Sequence, residues 1–116
     1  MKYVINIALC SLAILLLSMR VSHAQNYSAN NVTITSIGCQ NNNTVCYVTV
    51  SGGNYGPSGC NTNSIRWDSS STPNGLVAVA QLTAAYVTGT SVSFVLSNSC
   101  FSENGNYPTM LYYVIG

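Results

Sequence analysis

The chain has 116 residues, of which 4% are charged, with a net charge of +1; this length suits one ordinary domain. Its lysine, arginine and histidine content is too low for a basic patch that tracks phosphates, so nucleic acid is excluded as an expected partner.

The first segment reads as a leader. Lys2 precedes a mostly apolar run from Val4 to Leu17, and Ser22-His23-Ala24 forms a small-x-small cleavage site. A run this short, flanked in this way, is a secretory signal peptide over residues 1–24 and not a membrane span. Cleavage leaves residues 25–116 as a single domain with Arg66 as its one cation and Asp68 and Glu103 as its anions, a net charge of 1 − 2 = −1. Lys2, Arg20 and His23 all leave with the leader. The remainder has no histidine and no lysine. Histidine-based acid–base catalysis, Schiff-base chemistry and histidine-ligated metal sites are thereby excluded, and neither a cofactor nor a metal is expected.

Residues 25–30 form a polar N-terminus. In the next stretch Val32 and Ile34 alternate with Thr33 and Thr35, predicting a first strand. Thr44 to Ser51, rich in β-branched residues, predicts a second. Gly52 to Gly59 is an irregular glycine- and proline-rich loop. Ser64 to Ser69 predicts a third strand, with Ile65 and Trp67 on one face and Arg66 and Asp68 on the other.

Thr72-Pro73 suits a helix start, and Gly89 suits its end, predicting a helix over Pro73–Thr88. Leu76, Val79, Ala80, Thr83, Tyr86 and Val87 share one side at helical spacing, and this face is expected to pack on the sheet. The opposite face carries Asn74, Val77, Ala78, Gln81, Ala84, Ala85 and Thr88, with no charge. It is expected to be covered by self-association, giving a homo-oligomer through helix 73–88. Ser91 to Ser97 predicts a fourth strand, with Val92, Phe94 and Leu96 on one side. Cys100 to Pro108 is a loop, and Met110 to Ile115 a last strand. The fold class is mainly β with one helix, in the order β-β-β-α-β-β. That is the element order of an OB-fold-like five-stranded barrel.

Cys10 leaves with the leader, and Cys39, Cys46, Cys60 and Cys100 remain. An even count in a small exported chain predicts two disulfides, with three pairings open. Cys39 and Cys46 flank a polar loop between strand-like runs, which makes them the preferred pair; Cys60–Cys100 follows by elimination. Secreted or periplasmic localisation is expected, without stable membrane insertion.

Cys46, Cys60, Trp67, the uncharged helix, Thr88-Gly89 and the apolar run from Ser91 to Leu96 together resemble the B subunits of pentameric bacterial toxins, of the subtilase-cytotoxin type. The chain is also similar to a group of small secreted proteins of Gram-negative bacteria. The toxin resemblance implies glycan binding at cell surfaces and a ring with the helices at its centre. Its cysteine spacing implies Cys46–Cys60, whereas the second group implies Cys60–Cys100. A serine of the toxin sugar site falls near Asn30, and an acidic residue expected in the second strand falls near Val48, so the sequence departs from that site at both.

Asp68 and Glu103 lie on different elements, and nothing in the sequence joins them into a catalytic pair, so no enzyme activity is expected. Tyr55 and Tyr107 sit in glycine-containing loops, where binding residues concentrate, and with Asn30 they are the candidate binding residues. Trp67, in phase with Ile65, is expected in the core. The sequence thus points to a non-enzymatic binding module with a cell-surface glycan or a protein as partner. The alternative is a structural or assembly protein of the envelope without a small-molecule ligand.

Overall fold

Side-chain alternation fixes most of the strands. A computed structural model describes residues 26–116; the expected leader, residues 1–24, lies outside them. The described elements are β1 (Tyr27–Val32), β2 (Ile34–Cys39), β3 (Val45–Val50), β4 (Ser64–Asp68), α1 (Gly75–Thr88), β5 (Val92–Cys100) and β6 (Pro108–Ile115). The protein is mainly β with one helix among the described residues. The alternation read from the sequence holds in β4, where Ile65 and Trp67 are buried, and in β5, where Val92, Phe94 and Leu96 are buried.

The expected five-stranded barrel is corrected to a six-stranded sheet in the open order β1-β5-β6-β4-β3-β2. The extra strand arises because the first predicted strand is two. Asn31 has φ of 50° and the β1–β5 register shifts between Ala29 and Val32, so the chain turns before β2 begins. Thr33 sits at the break and is tied to Ser51, through its carbonyl to the Ser51 N–H (2.9 Å) and its N–H to the Ser51 hydroxyl (3.0 Å). β1 also begins earlier than expected, at Tyr27, inside the segment read as a loose terminus. All sheet pairings are antiparallel except β4 with β6, which are parallel and meet at Arg66 and Thr109.

Both disulfides take the pairing preferred from the residues. Cys39 and Cys46 face each other in register across β2 and β3. Cys60–Cys100 ties the loop after β3 to the end of β5, across 40 residues.

The helix begins at Gly75, later than expected, after a turn in which the Gly75 N–H reaches the Thr72 carbonyl (3.2 Å). It ends as expected at Gly89, whose φ of 66° is the left-handed cap that glycine adopts at no steric cost. The face it turns to the sheet differs from the one expected. Gly75, Ala78, Leu82 and Ala85 are buried, with Val79 half-buried, whereas Leu76 and Val87 are 72% and 76% exposed and Ala80, Thr83 and Tyr86 are also exposed. The reason is close approach. Small side chains let the helix backbone lie against β2, and Leu82, with Val79 beside it, fills the remaining depth. The core joins Leu82, Trp67, Ile65, Val48, Phe94 and Leu96.

Candidate functional site

Strand alternation places Arg66 and Asp68 on the side of β4 opposite the core, both half-buried. Register sets Tyr47 of β3 beside Arg66. The guanidinium carbon of Arg66 stands 3.6 Å from the centre of the Tyr107 ring and 5.4 Å from that of Tyr47. Contacts of this kind hold a guanidinium in place while leaving its edge available to hydrogen-bond acceptors. Its Nε is sealed from solvent and has no hydrogen-bond partner.

Asp68 is held by donors alone. Its Oδ1 accepts from the Thr44 hydroxyl (2.7 Å), the Ser70 N–H (2.9 Å) and hydroxyl (3.0 Å), and the Ser71 N–H (3.2 Å). The Thr44 hydroxyl and then the Ser70 amide lower its pKa from 3.8 to about 2. The folded protein thus binds this proton less readily than the unfolded chain, so protonation favours unfolding. The stability Asp68 contributes is complete above about pH 4 and falls away as the pH drops toward 2. Urea midpoints across that window should decline more steeply in the native protein than in Asp68→Asn. Equal slopes would show that the four donors do not act on this carboxylate.

Glu103 lies in the loop 101–107 that follows the Cys60–Cys100 bridge. The loop is closed by the Phe101 N–H to the Tyr107 carbonyl (2.8 Å) and braced by Tyr107 N–H to the Asn104 carbonyl (3.3 Å) and Asn106 N–H to Asn104 Oδ1 (3.2 Å). Phe101 anchors it in the interior.

Two clefts flank this loop. A cleft of about 310 Å³ is lined by Asp68 and Glu103, by hydroxyls including Ser71, Ser97, Ser99 and Thr109, and by Trp67, Phe101 and Met110. A smaller one, about 130 Å³, is lined by Arg66, Glu103, Gln40, Asn43, Asn104, Val45 and Phe101. Arg66, Asp68 and Glu103 are the only charged side chains from Asn26 onward, and all three line these adjoining clefts. The environment of Asp68 pushes its pKa down, the opposite of what proton donation near neutral pH requires.

The sequence-predicted residues are dispersed. Tyr107 belongs to this region, half-buried beneath Arg66. Tyr55 does not. Its hydroxyl donates to the Ser51 carbonyl (3.2 Å), its backbone pairs with Thr62, and its ring packs on the core. Asn30 is exposed on β1 and lines none of the four clefts described. The meeting of Arg66, Asp68 and Glu103 was not legible in the sequence, although their scarcity was the available signal.

A second feature lies on the other side of the molecule's helix. Grooves of about 630 and 420 Å³ run between α1 and β6, sharing Gln81 and Tyr113, whose hydroxyl donates to Gln81 Oε1. Asn74, Val77, Ala78 and Gln81 line the first, and Gln81, Ala84, Ala85 and Thr88 the second. This is the helix side expected to be covered by a partner copy, and that expectation is corrected: Ala78 and Ala85 are buried in the chain's own fold, because their small side chains let the helix approach the sheet there. Beyond it, Leu111, Tyr112, Val114 and Ile115 of β6 are exposed. Among the described residues no group of three or more metal-ligating side chains occurs, and no helix is long and apolar enough to cross a membrane. No family model, curated protein or solved structure matches the chain.

Proposed function

We propose that the chain is an exported, non-enzymatic binding module that self-associates through α1 and β6 and so presents several copies of its ligand site. The observation that carries this reading is the uncharged apolar surface on those two elements. The outward side of α1 bears Leu76, Val77, Ala80, Thr83, Ala84 and Val87, all exposed. Thr83 and Thr88 return their hydroxyls to the Val79 and Ala84 carbonyls (2.6 and 2.8 Å), so neither requires a partner outside the helix. β6 adds exposed Ile115 on the side of Tyr113, which meets the helix, while exposed Tyr112 and Val114 alternate to the other side. Monomeric proteins rarely leave such surfaces in water, and those that do use them to bind. A second copy is the natural occupant: it brings the same uncharged helix, and Ala80 and Ala84 permit axes about 8–10 Å apart.

The strand order supports an OB-like barrel, once β1 and β2 are counted as two halves of one bent strand. The two disulfides support an oxidising compartment. The resemblance to toxin B subunits adds the ring arrangement and a glycan ligand. The hydroxyl-lined cleft beside Glu103 favours a glycan over a protein as that ligand. An envelope assembly protein without a small ligand is the second reading, and the same apolar face favours it.

Light scattering on the exported protein at micromolar concentration should give the mass of an oligomer, and Ala84→Glu should reduce it to a monomer. A strict monomer, or an oligomer indifferent to Ala84→Glu, overturns the self-association.

A further inference from the structure

The chain has three charged side chains from Asn26 onward, and the fold gathers all of them at one loop. Solubility would be served better by scattering them. Their concentration there is the mark of a polar ligand site, and the lining specifies the ligand's chemistry.

The larger cleft presents two carboxylates and a set of hydroxyls, with no cation on its walls. A ligand seated there must supply hydrogen-bond donors. It must also be free of negative charge, which Asp68 and Glu103 would repel. Arg66 lines the adjoining cleft, which shares Glu103, and so offsets part of the carboxylates' pull on a cation. A neutral polyhydroxylated ring meets both conditions, because each of its hydroxyls both donates and accepts. The volume, about 310 Å³, lies at the small end of ligand pockets and suits one such ring. The site is largely preformed. Asp68 is fixed by four donors, and the Glu103 loop is pinned by the disulfide at one end and by the Phe101–Tyr107 hydrogen bond across its base.

We propose that the cleft between β4 and the 101–107 loop binds one neutral hexose residue of a glycan, with Glu103 and Asp68 accepting hydrogen bonds from its hydroxyls. This rests on the glycan-binding reading above and adds the site and the sugar class to it. Glu103 is the discriminating residue: its carboxylate accepts from a neutral sugar and repels an acidic one.

The test is amide-resolved NMR of the exported protein, titrated separately with methyl glycosides of glucose, galactose and mannose and with N-acetylneuraminic acid. Each is taken to about 50 mM, well past a millimolar Kd. At least one neutral glycoside should shift resonances within residues 68–72 and 97–110. Glu103→Ala, on an exposed loop, should weaken that binding about tenfold, the effect of losing a hydrogen bond to a charged acceptor. Glu103→Gln should weaken it less and should improve binding of N-acetylneuraminic acid. Sugar-induced shifts confined to other regions, such as residues 52–62, would overturn the site and leave glycan binding intact. Tighter binding of N-acetylneuraminic acid in this cleft would overturn the sugar class. Silence from all four sugars would overturn both the site and the glycan reading, and affinity unchanged in Glu103→Ala would overturn the role of Glu103.

Discussion

Replacing Cys60 and Cys100 together by alanine should lower the unfolding free energy by about 4 kcal/mol, the loop-entropy value for a bridge of this span. The bridge closes 40 residues and joins the loop after β3 to the end of β5. Cys60 is buried at 1% exposure, so alanine is the informative replacement; serine would add a buried hydroxyl and confound the result. The Cys39–Cys46 bridge closes only 7 residues, between strands already paired in register, and its removal should cost about 2 kcal/mol. Urea unfolding of the two double variants separates the bridges, with the longer one giving the larger loss. For a domain of this size the difference corresponds to roughly 10 °C in Tm. Peptide mapping without reduction should recover Cys60 joined to Cys100. Recovery of Cys46 joined to Cys60 would overturn the pairing and, with it, the anchoring of the Glu103 loop.

The parts of this fold that could be read from the sequence are those in which one residue's neighbours decide its environment. Ile65 and Trp67 alternate with Arg66 and Asp68, so β4 was legible together with the side that faces the core. Val92, Phe94 and Leu96 did the same for β5. Gly89 marked the helix end because a left-handed residue was needed there. The break at Thr33 was not legible, because the apolar alternation of Val32 and Ile34 runs straight across it, and only the positive φ of Asn31 and the shifted register expose it. β1 was hidden for a related reason. Only Ala29 and Val32 are buried in it, three residues apart, which is not the period of a strand.

The helix illustrates a different limit. Apolar residues occur all round α1, so periodicity could not choose a face, and size pointed the wrong way. The sheet accepts Gly75, Ala78 and Ala85 because they are small, and the larger Leu76 and Val87 are left outside. The charged cluster was out of reach for a third reason. It depends on the parallel meeting of β4 with β6 and on the path of a disulfide-anchored loop, both of which join residues far apart in the chain. Tyr107 and Tyr55 were both chosen because they lie in loops; the structure sets Tyr107 against Arg66 and packs Tyr55 on the core.

The junction between β4 and α1 should be the other large determinant of stability. Trp67 is 2% exposed, and its indole N–H donates to the Gly75 carbonyl (3.0 Å), an acceptor in the first turn of the helix. Gly75 itself lies so close to Ser69 that an added Cβ would stand 2.5–2.7 Å from the Ser69 backbone. The two residues form one joint: the ring fills the space beneath the helix start, and the glycine lets the chain fold back onto it. Trp67→Ala should cost about 4 kcal/mol, the loss expected for truncating a buried aromatic. Trp67→Phe should cost about half as much, since most of the apolar ring remains while the Gly75 carbonyl loses its donor. Gly75→Ala would raise intrinsic helix propensity by about 1 kcal/mol, yet it should destabilise the protein, because the clash is with backbone and cannot be relieved by a side-chain rotation. Urea denaturation of the three variants at neutral pH tests the joint as a whole. A stabilised Gly75→Ala would show that the helix start has room to move. Near-equal losses for Trp67→Ala and Gly75→Ala, combined in a double variant that is no worse than either, would show that the two changes break the same contact.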